Sequence, residues 1–258
     1  MYVAKNVANL RANPDPHSER INQVLFNAKC KVDKEEEEWL FCQVPDGTKG
    51  WMRKYYTTEE QYRVGRLWRV RSLYAPAYDS TCHQLVTKFT FNTRIYGDQI
   101  ENSVVTEWSD GRKLRLKESD LEPEDTEKDF ANLGDLAKKF IGIPYLWGGI
   151  SSFGLDCSGF TQTLFDYFGT SLPRNSGQQK KVGQKVTVSG DRSVLKEKPS
   201  LGDLLFFPGH VGIYLQDGLM IHSCSRENGV VITDLLDDSS YSEYLRGELT
   251  VVKRVMGA

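Results

Sequence analysis

Features of secreted and membrane proteins are scarce in this sequence of 258 residues. No stretch reaches the roughly 18 apolar residues of a spanning helix, and the amino terminus lacks a basic start followed by an apolar run. Cysteines number only five and include no C-x-x-C pair, so neither a disulfide framework nor a zinc site is predicted. We therefore expect a cytoplasmic protein.

Excess charge of one sign is lacking as well. Lys and Arg total 33 while Asp and Glu total 35, so the formal net charge is −2. Such a balance creates no field that would draw the chain to nucleic acid or to an anionic membrane, and neither partner is predicted. No organic cofactor or metal site is indicated, and the oligomeric state is left open.

The first half of the chain predicts two small β domains. Residues 7–56 and 67–121 alternate short apolar runs with turn residues such as Pro45-Asp46-Gly47. Runs of this kind are typical of small β-barrels. We therefore expect one barrel over residues 1–62 and a second over residues 63–122.

An acidic segment separates this half from the rest. Residues 122–129 contain proline and offer little to bury, which makes them the best candidate for a linker. Apolar residues then recur at helical spacing over 130–140, and Pro144 lies just beyond that helix. We expect a third domain over residues 123–258.

This third domain has helices first and strands afterwards. A second helix is predicted to begin at Cys157, with Asp156 as its N-cap, and to stop at Gly169. Strand-like runs follow from Asp203 to Val252. That order predicts an α+β domain.

Cys157 is the candidate nucleophile. The first turn of a helix favours the thiolate, because unpaired N–H groups and the macrodipole lower the pKa of a thiol placed there. A cysteine elsewhere is more often a small buried apolar residue. The other cysteines and two of the four histidines are therefore expected to be structural: Cys30, Cys42, Cys82, Cys224, His17 and His83.

Two histidines lie on adjacent predicted strands. If Leu215 pairs with Leu219 across a three-residue turn, Gly212 lies opposite His222, and His210 lies on the same face. His210 can then accept the thiol proton while His222 binds its other ring nitrogen, which is the arrangement of a catalytic triad. A two-residue turn would separate the two imidazoles.

The second half of the chain resembles the NlpC/P60 family in the order and spacing of several segments. The first β stretch is similar to a bacterial SH3-like domain in Asn9-Leu10-Arg11, Trp39 and Gly50-Trp51. The NlpC/P60 resemblance rests on Pro144-Tyr145-Leu146-Trp147-Gly148-Gly149, Asp156-Cys157-Ser158-Gly159-Phe160, Leu172-Pro173-Arg174-Asn175-Ser176, Gly202-Asp203-Leu204, His210-Val211-Gly212-Ile213-Tyr214 and Met220-Ile221-His222-Ser223.

The resemblance implies a papain-like catalytic domain and a cysteine peptidase with Cys157, His210 and His222 as catalytic residues. Members with amino-terminal SH3-like domains resemble γ-D-glutamyl-L-diamino-acid endopeptidases that recycle murein peptides. The implied substrate is therefore a small murein peptide with a free amino-terminal L-alanine, cleaved after D-glutamate.

Substrate-binding residues are also implied by the resemblance. Asp156 would pair with the free ammonium group, while Trp147, Ser158 and Ser176 would line the pocket. Ordinary structural roles stand beside these: Asp156 as a helix cap, Trp147 as a core residue, and the serines as partners of local backbone groups.

Other functions fit the same motifs. A secreted or phage-type hydrolase could act on intact peptidoglycan, with the barrels anchored to the polymer. An acyltransferase or amidase could use the same fold on other amides, and a non-catalytic module could keep it only as a scaffold.

Overall fold

The computed structural model describes residues 1–81 and 83–256. Cys82, predicted to be structural, lies outside the described residues. Two compact units make up the chain, Met1–Glu127 and Lys128–Ala258.

The first unit is built from antiparallel strands. Two short 3-10 helices, Lys54–Tyr56 and Glu118–Asp120, interrupt them. The strands are β1 (Tyr2–Val3), β2 (Val7–Arg11), β3 (Arg20–Leu25), β4 (Lys31–Glu36), β5 (Trp39–Gln43), β6 (Lys49–Arg53), β7 (Thr57–Thr58), β8 (Arg66–Val70), β9 (Tyr74–Asp79), β10 (Leu85–Thr90), β11 (Arg94–Ile100), β12 (Ser103–Glu107), β13 (Lys113–Lys117) and β14 (Leu121–Pro123).

These strands form two main sheets. One has the order β3-β2-β6-β5-β4 and the other β10-β9-β13-β12-β11-β8-β14, while β1 pairs with β7. Burial alternates along β2 and along β13, because successive side chains of a strand point to opposite faces. The alternating apolar pattern of the sequence therefore places one face of each sheet in a core.

Phe26 connects the two sheets of the first unit. It follows β3 directly, yet it packs in the core of the larger sheet, with its ring 5.2 Å from that of Phe89 and 5.1 Å from that of Trp108. The side chain of Asn27 donates a hydrogen bond to the carbonyl of Tyr62. The predicted division at residue 62 thus falls within one compact unit, and it stays a prediction.

The predicted linker begins as a strand. Residues 121–123 form β14, which pairs with β8, and Glu122 is buried. Glu124 accepts hydrogen bonds from the guanidinium groups of Arg69 and Arg94, which hold the pKa of its carboxyl at about 2, below its usual value, despite opposing desolvation. The expectation that the segment has little to bury is therefore wrong for Glu122, while Pro123 and Glu124 are half-buried.

The second unit combines helices with a larger sheet. A 3-10 helix, Phe130–Asn132, leads into its first α-helix. The helices are α1 (Leu133–Lys138), α2 (Cys157–Tyr167), α3 (Ser176–Gln179), α4 (Arg192–Glu197) and α5 (Ser240–Glu248), and the strands are β15 (Ile150–Ser151), β16 (Gly154–Leu155), β17 (Gln184–Val186), β18 (Leu204–Phe207), β19 (His210–Tyr214), β20 (Leu219–Cys224), β21 (Gly229–Asp234) and β22 (Val251–Arg254).

The sheet of this unit has the order β17-β22-β18-β19-β20-β21, and its pairs are antiparallel. β18 and β19 form a tight hairpin in which Phe207 pairs with His210. The two loop residues are Pro208 and Gly209, and Gly209 has φ +68. Proline followed by a glycine with positive φ suits a type II turn, which fixes the start of β19 at His210.

Both predicted helices are confirmed. α1 buries Leu133, Leu136 and Ala137 on one face, as the helical spacing of the apolar residues predicts. α2 begins at Cys157, and Gly169, with φ +81, follows its end.

Three short elements between Asn175 and Pro199 were not predicted, namely α3, β17 and α4, nor was α5 later in the chain. In α4 only Leu195 is buried, so that helix carries almost no apolar periodicity. Within the described residues, no helix has the length and apolar content needed to cross a membrane.

Candidate active site

Asp156 positions the start of α2. Its carboxylate accepts a hydrogen bond from the backbone N–H of Gly159 at 2.7 Å, which is the N-cap interaction that the sequence predicts. Cys157 is then the first helical residue and is 7% exposed. Gly159 has no room for a side chain, because a Cβ there would lie 2.1 Å from the carbonyl oxygen of Gly149.

The thiol of Cys157 is more basic than its helix position predicts. Burial, and next the negative charge of Asp156, raise its pKa to about 11. Backbone hydrogen bonds from Val211 and Ser158 and the charge of Arg174 act in the opposite direction but are outweighed. The expected lowering of the thiol pKa is therefore wrong for the free protein, since desolvation exceeds the effect of the helix terminus.

The two predicted histidines meet on one face of the sheet. Ile213 pairs with Ile221, and Leu215 donates its N–H to the carbonyl of Leu219 at 2.9 Å, which confirms the three-residue turn. As a result, His210 Nε2 lies 2.7 Å from His222 Nδ1.

A glycine makes room between these histidines. In this register Gly212 lies opposite His222. A Cβ on Gly212 would lie 2.4 Å from Sδ of Met220 and 3.3 Å from Cβ of His222. A larger residue at position 212 would therefore require the side chain of Met220 to move and would crowd His222.

Burial keeps both imidazoles neutral. It lowers the pKa of His210 to about 4, and burial together with the neighbouring His210 lowers the pKa of His222 to about 3. His222 has no exposed surface, and its Nε2 lies 2.9 Å from Oγ1 of Thr233. Because Nε2 of His210 faces His222, Nδ1 of His210 is the nitrogen left to exchange a proton.

The side chain of Val211 enters the core while its backbone faces the nucleophile. It is the residue after His210, and its N–H forms the hydrogen bond to the thiol of Cys157. The start of β19 therefore lies beside the start of α2. The thiol and the imidazole pair are assembled within one compact unit.

Arg174 forms a buried ion pair with Asp156. Its Nη1 lies 2.9 Å from Oδ1 and its Nη2 lies 2.5 Å from Oδ2, a bidentate contact between side chains that are 2% and 9% exposed. Gly148 donates its N–H to Oδ2 at 2.8 Å. Arg174 stands in the motif quoted above, but its role was not predicted.

Ser158 lies in the same cluster. Its hydroxyl donates to Oδ1 of Asp156 at 3.2 Å and accepts from Nη1 of Arg174 at 3.0 Å. Ser176 is half-buried at the first position of α3, two residues after Arg174. Trp147, predicted to line the pocket, is 59% exposed, so the alternative role as a core residue is wrong.

Tyr145 and Thr233 are site residues that sequence reasoning missed. Burial and then the charges of Cys157 and Asp156 raise the pKa of Tyr145 to about 12, so this phenol lies within electrostatic reach of the nucleophile. Tyr145 stood in a quoted motif, which was an available signal. No signal in the sequence indicated Thr233, because its contact with His222 depends on the pairing of β20 with β21.

Over residues 1–81 and 83–256, no group of three or more His, Cys, Asp or Glu side chains is arranged to hold an ion. The chemistry available at this site is that of a thiol, two imidazoles and an ion pair.

The fold is that of a known class. Residues 142–249 match the NlpC/P60 family and residues 6–58 match the bacterial SH3 domain. A solved NlpC/P60 family protein from Bacillus cereus has a TM-score of 0.84 at 24% sequence identity, over 99% of each chain.

Sequence relatives extend the match along most of the chain. A γ-D-glutamyl-L-lysine dipeptidyl-peptidase of Bacillus subtilis is 32% identical over 83% of this chain and 76% of its own length. Dipeptidyl-peptidase 6 of Lysinibacillus sphaericus is 24% identical over 98% and 97%. The chain therefore belongs to the NlpC/P60 family and carries a bacterial SH3 domain near its amino terminus. This confirms the family that the sequence motifs indicated.

Proposed function

We propose that this chain is a cysteine peptidase that hydrolyses the bond between γ-D-glutamate and the following L-diamino acid in small murein peptides with a free amino-terminal L-alanine. One observation carries the proposal: a buried thiol at the start of a helix lies beside the strand that begins with His210, and His210 is hydrogen-bonded to His222. The names of the two relatives support the bond and the substrate class.

In the acylation step, Cys157 attacks the γ-carbonyl of D-glutamate. Both the thiol and His210 are neutral at pH 7, because burial raises the pKa of one to about 11 and lowers the pKa of the other to about 4. The proton therefore moves from sulfur to Nδ1 of His210 as the carbon–sulfur bond forms, instead of beforehand. We propose that the backbone N–H of Cys157 stabilises the oxyanion.

The tetrahedral intermediate then collapses. Protonated His210 gives its proton to the nitrogen of the diamino acid, which leaves as a free amine. In the second half-reaction His210 takes a proton from water, and the hydroxide attacks the carbonyl carbon of the thioester. The carbon–sulfur bond then breaks, and the thiolate of Cys157 takes the proton back from His210. His222 holds the ring of His210 in place during both steps.

Recognition of the free amine is proposed for Asp156. Its carboxylate already has five contacts, while a carboxylate offers about four lone-pair sites, so a direct ammonium contact requires one to give way. The contact from the Ser158 hydroxyl, at 3.2 Å, is the longest of these. We propose that this hydroxyl rotates toward the substrate when the ammonium binds, with Trp147 and Ser176 lining the same pocket.

The domain assignment is part of the proposal. We propose an SH3-like barrel over residues 1–62, a second over 63–122, and a papain-like α+β catalytic domain over 123–258. The match of residues 6–58 supports the first barrel, and the strand pattern over β8–β14 supports the second. A role in recycling murein peptides would place the enzyme in the cytoplasm.

The test is mass spectrometry of L-Ala-γ-D-Glu linked to meso-diaminopimelate or to L-lysine, incubated with the wild-type chain. Release of L-Ala-D-Glu from the free-amine peptides, and not from their acetylated forms, is expected. Cys157→Ala should abolish the release, while Cys42→Ala, which removes a buried thiol in the other unit, should retain it.

Two outcomes would favour the other functions. Cleavage of acetylated peptides or of intact peptidoglycan would point to a wall hydrolase. If the wild-type chain cleaves none of these, an acyltransferase, an amidase or a non-catalytic scaffold would account better for the fold.

A further inference from the structure

The hydroxyl of Thr233 continues the hydrogen-bonded pair of His210 and His222. Oγ1 of Thr233 lies 2.9 Å from Nε2 of His222, and Nδ1 of His222 lies 2.7 Å from Nε2 of His210. His222 has no exposed surface, while His210 and Thr233 are half-buried. The two ring nitrogens of His222 therefore have His210 and Thr233 as hydrogen-bond partners.

We propose that Thr233 is a positioning residue that holds His222 in the tautomer with its proton on Nε2. The inference rests on the proposed function, in which Nδ1 of His210 must carry a lone pair to accept the thiol proton. In that state His210 carries its own proton on Nε2 and donates it to Nδ1 of His222. His222 then donates from Nε2 to the hydroxyl of Thr233.

The opposite tautomer would stop catalysis. With its proton on Nδ1, His222 would donate to Nε2 of His210, and the proton of His210 would move to Nδ1. That nitrogen could no longer accept the proton of Cys157. When the hydroxyl of Thr233 accepts from Nε2 of His222, Nδ1 of His210 keeps its lone pair and His210 can act as the base.

The pairing of β20 with β21 supplies this acceptor. His222 lies opposite Val231, and Thr233 lies opposite Met220, so His222 and Thr233 are diagonal neighbours on the same face. A threonine is short and stiff at χ1, and its hydroxyl sits close to the strand. It reaches the imidazole without bringing a charge into the buried site.

The direct test is nitrogen-15 NMR of the histidine rings in the full chain, without substrate. Chemical shifts and long-range proton couplings distinguish Nε2–H from Nδ1–H. We expect the Nε2–H form of His222 in the wild type and in Thr233→Ser, and loss of its dominance in Thr233→Val. Thr250→Val removes a threonine hydroxyl from an exposed position in the same unit, and it should leave the spectrum unchanged.

Kinetics with the free-amine murein peptide give the second readout. Thr233→Val should lower kcat about tenfold, as expected for one lost hydrogen bond in a buried network, with KM within about twofold. Thr233→Ser should restore kcat to within about twofold. A residue that only packs would not be rescued by serine, which lacks the methyl group of threonine but keeps the hydroxyl.

Two results would overturn the inference. One is an unchanged His222 tautomer in Thr233→Val, and the other is an equal loss of kcat in the serine and valine variants. If the wild-type chain cleaves no murein peptide, the proposed function fails. The comparison of tautomers still decides the role of Thr233, because it needs no substrate.

Discussion

Replacing Arg174 with methionine should destabilise the second unit more than any loss of an exposed ion pair. The substitution keeps much of the side-chain volume and removes the charge. Asp156 would keep its contacts with the N–H groups of Gly148 and Gly159, at 2.8 and 2.7 Å, but would lose both contacts to the guanidinium. A carboxylate buried at the start of α2 would then have no countercharge.

The expected loss is on the order of 3 to 5 kcal/mol, the usual cost of removing one partner of a buried ion pair. The two side chains are 2% and 9% exposed, so solvent screens the interaction little. The matched control is Arg192→Met. Arg192 also pairs with an aspartate in this unit, Asp238, but those side chains are 47% and 92% exposed. Its loss should be a small fraction of the other.

Hydrogen exchange measured by mass spectrometry suits this chain, because it reports each compact unit separately. The opening free energy of amides in α2 should fall in Arg174→Met and stay nearly constant in Arg192→Met. Adding Asp156→Asn to Arg174→Met should recover part of the loss, since the unpaired charge is then gone. Equal effects of the two arginine variants would refute the idea that the buried pair stabilises the site.

Two further predictions follow from the same site. Because burial holds the pKa of His210 near 4 and that of His222 near 3, below their value of about 6.5 in the unfolded chain, the second unit should lose stability as pH falls from 7 toward 4. His222→Gln should flatten this pH dependence of unfolding, while His17→Gln should not, and a flat wild-type profile would contradict the assignment. Gly159→Ala should abolish peptide cleavage and lower the melting temperature by several degrees, because its Cβ would meet a backbone oxygen at 2.1 Å. Gly177→Ala, with nothing within 4 Å, should change neither; equal effects would show that the close approach at Gly159 is unimportant.

Local signals in the sequence accounted for much of the fold. Asp156 before an apolar helical pattern predicts the cap and start of α2, and Gly169 predicts its end. The elements that escaped prediction have weak patterns: α3 is four residues long, and α4 buries only Leu195. Elements this short are held by tertiary contacts, so their own residues carry little evidence of them.

The candidate site divides in the same way. The sequence predicted that the imidazoles of His210 and His222 would meet if the turn between their strands had three residues, and it left a two-residue turn open. The pairing of Ile213 with Ile221 decided between them. Arg174 and Tyr145 lie in motifs of the sequence, but no role was predicted for them. Their partners are distant or buried groups that only the packed structure brings within reach.

The sequence by itself determined which groups can do chemistry and which turn length would bring the two histidines together, because side-chain alternation along a strand is a local property. The tertiary structure alone decided the protonation of those groups. Burial overrides the helix terminus at Cys157 and keeps His210 neutral, and desolvation depends on the whole fold around a residue. It also brought Thr233 to His222, through the pairing of a third strand with the second.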